Sequence, residues 1–170
     1  MNVAYRWEAK AGMEDDARSI DIEIRIAFAE VMRPVSLARD RRLEIEAMDR
    51  DLGAKVWTEL SADELMRHRR ALALLDGAAF RYYLPAYLLA SLDETRPSFR
   101  QELREATLIA LSPYQRSHGP HPIDGSLFEE RTAALDLLQR GVIRRYIRYV
   151  RTRVTRARTF PALDIDGVWR

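Results

Sequence analysis

Arg140, Arg144, Arg148 and Arg151 stand four, four and three residues apart, a spacing that lines them along one helical face over ~16 Å. Guanidinium presents paired N–H donors, so the stripe suits the carboxylates of an acidic protein or the phosphates of a nucleic acid. Arg145, Arg153, Arg156 and Arg158 widen it. A nucleic-acid reading predicts affinity that falls steeply with salt as counterions are released. Against it stand a formal net charge of only +2 and no evident exposed aromatic platform beside the stripe. A third reading is internal: the acidic clusters at Glu14–Asp16 and Glu44–Asp51 fold against the arginines.

Other groupings offer less. His118-Gly119-Pro120-His121 has the look of a metal loop that His68 could join from elsewhere, but no carboxylate lies between the two histidines. Asp124 is the only acid near them. His118 and His121 are therefore weak candidates, and no metal or cofactor is expected. Acid–base chemistry needs two carboxyls converging in an apolar pocket. The pairs available (Glu14-Asp15-Asp16, Glu44/Glu46, Glu129/Glu130) sit among polar residues. The seven glycines are scattered singly, so no phosphate-cradling loop exists. No serine has the setting of a nucleophile elbow, and the absence of cysteine removes thiol catalysis, disulfides and Cys-based zinc sites. An enzyme with an unrecognised site is the third-ranked reading.

The densest apolar chemistry lies in Ala79-Phe80-Arg81-Tyr82-Tyr83-Leu84-Pro85-Ala86-Tyr87-Leu88-Leu89. Phe80, Tyr83 and Leu84 fall three and four apart on one face, which marks core rather than a ligand pocket. Trp57, Pro85, Tyr87 and Tyr146 join them as structural residues. Arg81 and Tyr82 face elsewhere and are the members expected to be exposed and free to bind.

The elements that must position these residues read as helix after helix. Ile20, Ile24, Ala27, Phe28 and Val31 place one face of a helix from Asp16 to Met32, ended by Pro34, with Ile22 and Ile26 broadening that face. A local strand is the rival reading of residues 20–26. Ser36 caps a second helix from about Leu37 to Met48, burying Leu37, Leu43, Ile45 and Met48. Ser61-x-x-Glu64 is a capping box that opens a helix carrying Leu65, Leu72 and Leu75, broken at Asp76-Gly77. Pro85 lacks an amide hydrogen and disfavours helical geometry at Leu84, so a corner is predicted between a short helix at 78–83 and another starting at Pro85. Ser98-x-x-Gln101 starts a helix to about Leu111. Residues 112–126, with three prolines and two glycines, form the main irregular loop. Asp136 caps the last long helix.

The order of Trp57, the Leu-rich helix with His68, Phe80-Arg81-Tyr82-Tyr83-Leu84-Pro85-Ala86-Tyr87-Leu88, Leu111-Ser112-Pro113, Phe128-x-x-Arg131, Gln139 and Ile143-x-x-Tyr146-Ile147-x-Tyr149-Val150 resembles a bacterial family of small helical proteins catalogued only as a domain of unknown function. The resemblance spans roughly residues 20–152. It implies a helical fold and brings no catalytic residues. The arginine-dense end departs from that family, which usually finishes in a blander helix.

The expectation is thus an all-α single domain of about six helices over residues 14–157, with a Pro-containing corner at 80–89 and loosely held termini at 1–13 and 158–170. A chain of 170 residues suits one domain. No apolar run approaches ~18 residues and no leader-like start is visible, so a membrane span is not expected and the cytoplasm is. The leading function is a non-enzymatic protein-interaction domain, in one form an immunity or accessory protein, docking an acidic partner through Arg140, Arg144, Arg145, Arg148 and Arg151. An Arg-rich nucleic-acid binder is the runner-up.

Overall fold

Ser61 accepts a hydrogen bond from the Glu64 amide, and the Glu64 carboxylate accepts one from the Ser61 amide, so the chain turns into a helix at Ala62. Capping of this kind starts several elements of the computed structural model. It describes residues 16–38, 43–93, 97–113, 125–151 and Trp169, the side chains of 97–100 and 125 excepted. They form seven α-helices and two 3-10 turns, without a strand among the described residues. In order these are α1 (16–27), α2 (Leu43–Leu52), a 3-10 turn at Trp57–Glu59, α3 (Ala62–Arg67), a second 3-10 turn at Ala71–Leu74, α4 (Gly77–Leu92), α5 (Pro97–Ala110), α6 (Gly125–Ala134) and α7 (Leu137–Arg151).

The centre is α4. Twelve of its sixteen residues are buried, because a helix apolar all round has no face left for water. It packs against α3, α5, α6 and both 3-10 turns. Asp76 caps it through the Ala79 amide at 2.9 Å, and the Asp76 amide in turn reaches the Leu37 carbonyl at 3.0 Å. Trp57, Phe80, Tyr83, Leu84, Pro85, Tyr87 and Tyr146 are all buried. The predicted corner at 80–89 is absent: α4 runs unbroken through Pro85. Proline removes one helical hydrogen bond, to the Arg81 carbonyl, but the burial of twelve of the sixteen residues of α4 outweighs that local cost.

Four further expectations are corrected. The first helix ends at residue 27, with a turn over 28–30, and Ile22 and Ile26 are 52% and 65% exposed rather than part of the buried face. The second begins at Leu43, not Leu37; Leu37 is buried outside any helix and Leu43 is exposed. The helix opened by Ser61 stops at Arg67 and resumes as a 3-10 turn at Ala71. Between them the His68 carbonyl accepts hydrogen bonds from the Tyr87 hydroxyl (2.8 Å) and the Ala71 amide (2.9 Å), partners that a continued α-helix would not give it. Pro97 opens α5, so Ser98 lies inside that helix and not at its cap.

The tail also differs from a loosely held end at one residue. Trp169 is buried, donates from Nε1 to the Leu111 carbonyl at 3.1 Å and meets Phe128 edge-on at 6.0 Å.

Buried polar groups tie the helices together. Ser91 on α4 and Tyr146 on α7 share a hydrogen bond at 2.6 Å, and burial pushes the Tyr146 phenol up to about 12. At α3, hydrogen bonding from Lys55 and then from Ser61 holds the Glu64 carboxyl down at about 2. The folded value lies below the unfolded one, so this cap contributes stability above pH ~4.5 that fades as pH falls toward ~2. Urea titrations at pH 7, 4 and 2.5 are therefore expected to show Glu64→Gln less stable than the parent at pH 7, with the gap closing across that window. A gap independent of pH would contradict the assignment.

Candidate functional site

The residues of the arginine stripe do share α7, but the structure divides them by what they touch. Asp136 and Gln139 cap this helix reciprocally: the Gln139 amide donates to Asp136 Oδ1 at 2.9 Å, and the Asp136 amide donates to Gln139 Oε1 at 3.3 Å. Gln139 is buried and also donates from Nε2 to the Ala27 carbonyl at 3.0 Å, closing the end of α1. Its Oε1 further accepts from Arg81 Nε at 2.9 Å. One glutamine thus joins α1, α4 and α7.

Arg81, expected to be free, is half-buried and committed to Gln139 and, at 3.3 Å, to Asp136. Tyr82, expected to be exposed, is 3% exposed. Its hydroxyl accepts from the Trp57 amide at 3.3 Å and its ring meets Tyr83 edge-on at 5.0 Å. The 3-10 turn at Trp57–Glu59 packs against α4 and covers Tyr82 on the side left free by the other helices.

Arg140 donates to the Leu135 carbonyl at 3.0 Å and the Thr132 carbonyl at 2.7 Å, satisfying the C-terminal end of α6. Arg145 pairs with Glu23 and donates to Ser19 at 3.2 Å, fastening α7 to α1. Arg151 is exposed and has a partner of its own. Arg144, half-buried, and Arg148, exposed, have no hydrogen bond or ion pair with a described residue. They lie four apart, so their guanidinium groups stand one turn from each other on the outer face of α7.

The N-terminal part of that outer face also carries exposed apolar side chains. Leu137 is 84% and Leu138 58% exposed, beside the exposed Ile26 of α1. Together with Glu23, Gly141 and Val142 they line a shallow groove of about 240 Å³ between α1 and α7. Among the described residues a Cβ placed on Gly141 would meet nothing within 4 Å, so none of them requires the glycine by packing. It costs the helix about 1 kcal/mol relative to alanine and lets another backbone approach the groove closely. The periodicity that reveals the arginines on α7 also places these leucines on their face, whereas Ile26 belongs to a helix more than a hundred residues away.

His118, His121, Arg153, Arg156 and Arg158 lie outside the described residues. His68, mentioned with the histidine pair, is buried and contacts Asp51 at 2.9 Å. Among the described residues no group of three or more His, Asp or Glu side chains could hold a metal ion. No described helix is long and apolar enough to cross a membrane.

Residues 16–170 match the Family of unknown function (DUF6714). No curated protein and no solved structure matches the chain.

Proposed function

The chain belongs to this family of unknown function, and from its own surface we propose that it is a non-enzymatic protein-interaction domain docking an acidic partner on the outer face of α7. The observation that carries this reading is the pairing of Arg144 and Arg148, without partners among the described residues, with exposed Leu137, Leu138 and Ile26 on one continuous surface. The matching partner is an amphipathic segment: apolar side chains for the groove, carboxylates one helical turn further along for the guanidinium pair.

Nucleic acid fits this surface less well. A single-strand binder places aromatic rings beside its cations so that bases can stack, and both tyrosines of α7, Tyr146 and Tyr149, are buried. Leucines in their place favour protein. The concrete form of the reading is an immunity or accessory protein working in the cytoplasm, supported by small size, all-helical architecture and a basic docking face.

Charge reversal tests it. Arg144→Glu with Arg148→Glu is expected to leave the melting temperature nearly unchanged, since neither arginine has a partner among the described residues and surface substitutions away from such contacts stay within about 0.5 kcal/mol. Binding of the acidic partner is expected to weaken by about 100-fold or more, because facing like charges across an interface costs several kcal/mol. If the double variant unfolds, the two arginines are structural and the docking face loses its support.

A further inference from the structure

A second groove, on the opposite flank of α1, has a different chemistry. It encloses about 530 Å³ and is lined by Arg25, Val31, Arg33, Val56, Trp57 and Tyr82, with Ala29 and Thr58 completing it. That volume lies within the range of pockets that hold small organic molecules. No acidic side chain lines it.

The floor is fixed. Tyr82 and Trp57 are both buried, and the Tyr82 hydroxyl, besides accepting from the Trp57 amide, reaches the Lys55 carbonyl at 3.5 Å. Val31 and Val56 form apolar walls. The two cations sit at the rim. Arg25 is oriented by Asp21, which takes its Nε at 2.6 Å; its Nη groups have no hydrogen bond with a described residue. Among the described residues Arg33 reaches the Lys55 carbonyl from Nη2 at 3.4 Å and also interacts with the Tyr83 hydroxyl below the floor. A guanidinium has five N–H donors, more than these two contacts take up.

We infer that this groove binds a small organic carboxylate with a flat apolar body, the body against the Trp57–Tyr82 floor and the carboxylate on the Arg25 and Arg33 guanidinium groups. Both features are needed. An apolar floor alone would take any hydrophobic molecule, and two surface arginines alone would take any anion. Their conjunction selects a ligand carrying an aryl or similarly flat group and an anionic head. The groove lies apart from the outer face of α7, so ligand binding here and partner docking there are separable.

The Trp57 indole N–H resonance of the full chain is the readout, with three probes: indole-3-acetate, the neutral indole-3-acetamide and inorganic phosphate. The carboxylate is expected to shift the Trp57 signal saturably, the amide to bind about tenfold or more weakly, and phosphate to leave the signal unmoved. Arg33→Gln, and separately Arg25→Gln, are expected to remove the carboxylate's advantage over the amide while leaving the amide's binding unchanged. Both arginines are exposed, so both variants are expected to fold. Equal binding of acid and amide to the parent chain would overturn the proposal by leaving only an apolar groove. So would phosphate binding as well as the carboxylate, or the absence of any saturable shift with millimolar carboxylate.

Discussion

Replacing Arg131 by leucine is expected to lower stability by about 3 kcal/mol, a figure set by opposing effects. Arg131 is 1% exposed. Its Nε donates to the Leu75 carbonyl at 2.9 Å and its Nη2 to the Ala73 carbonyl, joining α6 to the turn that precedes α4. The guanidinium also lies 5.2 Å from the centre of the Phe80 ring. Leucine fills much of the space taken by the arginine stem, so little cavity results, but two buried carbonyls lose their donors at roughly 1–3 kcal/mol each. Relief works the other way. Nη1 is buried without a partner among the described residues, and burial draws the guanidinium down to about 10 from its usual 12.5. The group is still charged at neutral pH, and removing it recovers part of that desolvation cost. Urea unfolding at pH 7 reads the balance. A loss under about 1 kcal/mol would mean that water replaces the arginine at both carbonyls.

Tyr83→Ala is expected to cost about 4 kcal/mol, within the range for removing a large buried ring. Its ring is fully buried in the middle of α4 and packs edge-on against Tyr82. For a chain of this size the melting temperature should fall by roughly 8–16 °C. The hydroxyl contributes little beside the ring: its contact with the Leu52 carbonyl is long at 3.5 Å, and its other partner is the exposed Arg33 side chain. Tyr83→Phe is accordingly expected to cost less than about 1 kcal/mol. That pair of variants separates ring packing from hydrogen bonding, and an unchanged melting temperature for Tyr83→Ala would refute the ring's place in the core.

The all-helical class was legible because its signals are local: the Ser61–Glu64 box, Asp76 before α4, Asp136 before α7, and apolar steps of three and four. What escaped depends on distant partners. Pro85 predicts a break by its own geometry, and only the elements packed against α4 keep the helix continuous. α6 shows no apolar stripe because its most deeply buried side chain is an arginine, so pattern reading passes over it. Trp169 takes its place from Leu111 and Phe128, far back in the chain.

The candidate surface follows the same division. Spacing puts the α7 arginines on one face, but it cannot show that Arg140 is spent on α6 carbonyls, Arg145 on Glu23 and Arg81 on Gln139. Among the described residues what remains is a pair, Arg144 and Arg148, where the stripe promised a row. The apolar companion Ile26 and the groove over Trp57 arise where residues distant in sequence meet, which no periodicity records.

The most direct test of the docking face is side-by-side affinity capture from host lysate, nuclease-treated, with the parent chain and the Arg144→Glu/Arg148→Glu variant as baits. Quantitative mass spectrometry then compares the two. The predicted result is one dominant protein that survives nuclease on the parent bait, is lost from the variant, and binds through an acidic amphipathic segment when purified. Equal recovery on both baits, or recovery that disappears with nuclease, would contradict an acidic protein partner on α7.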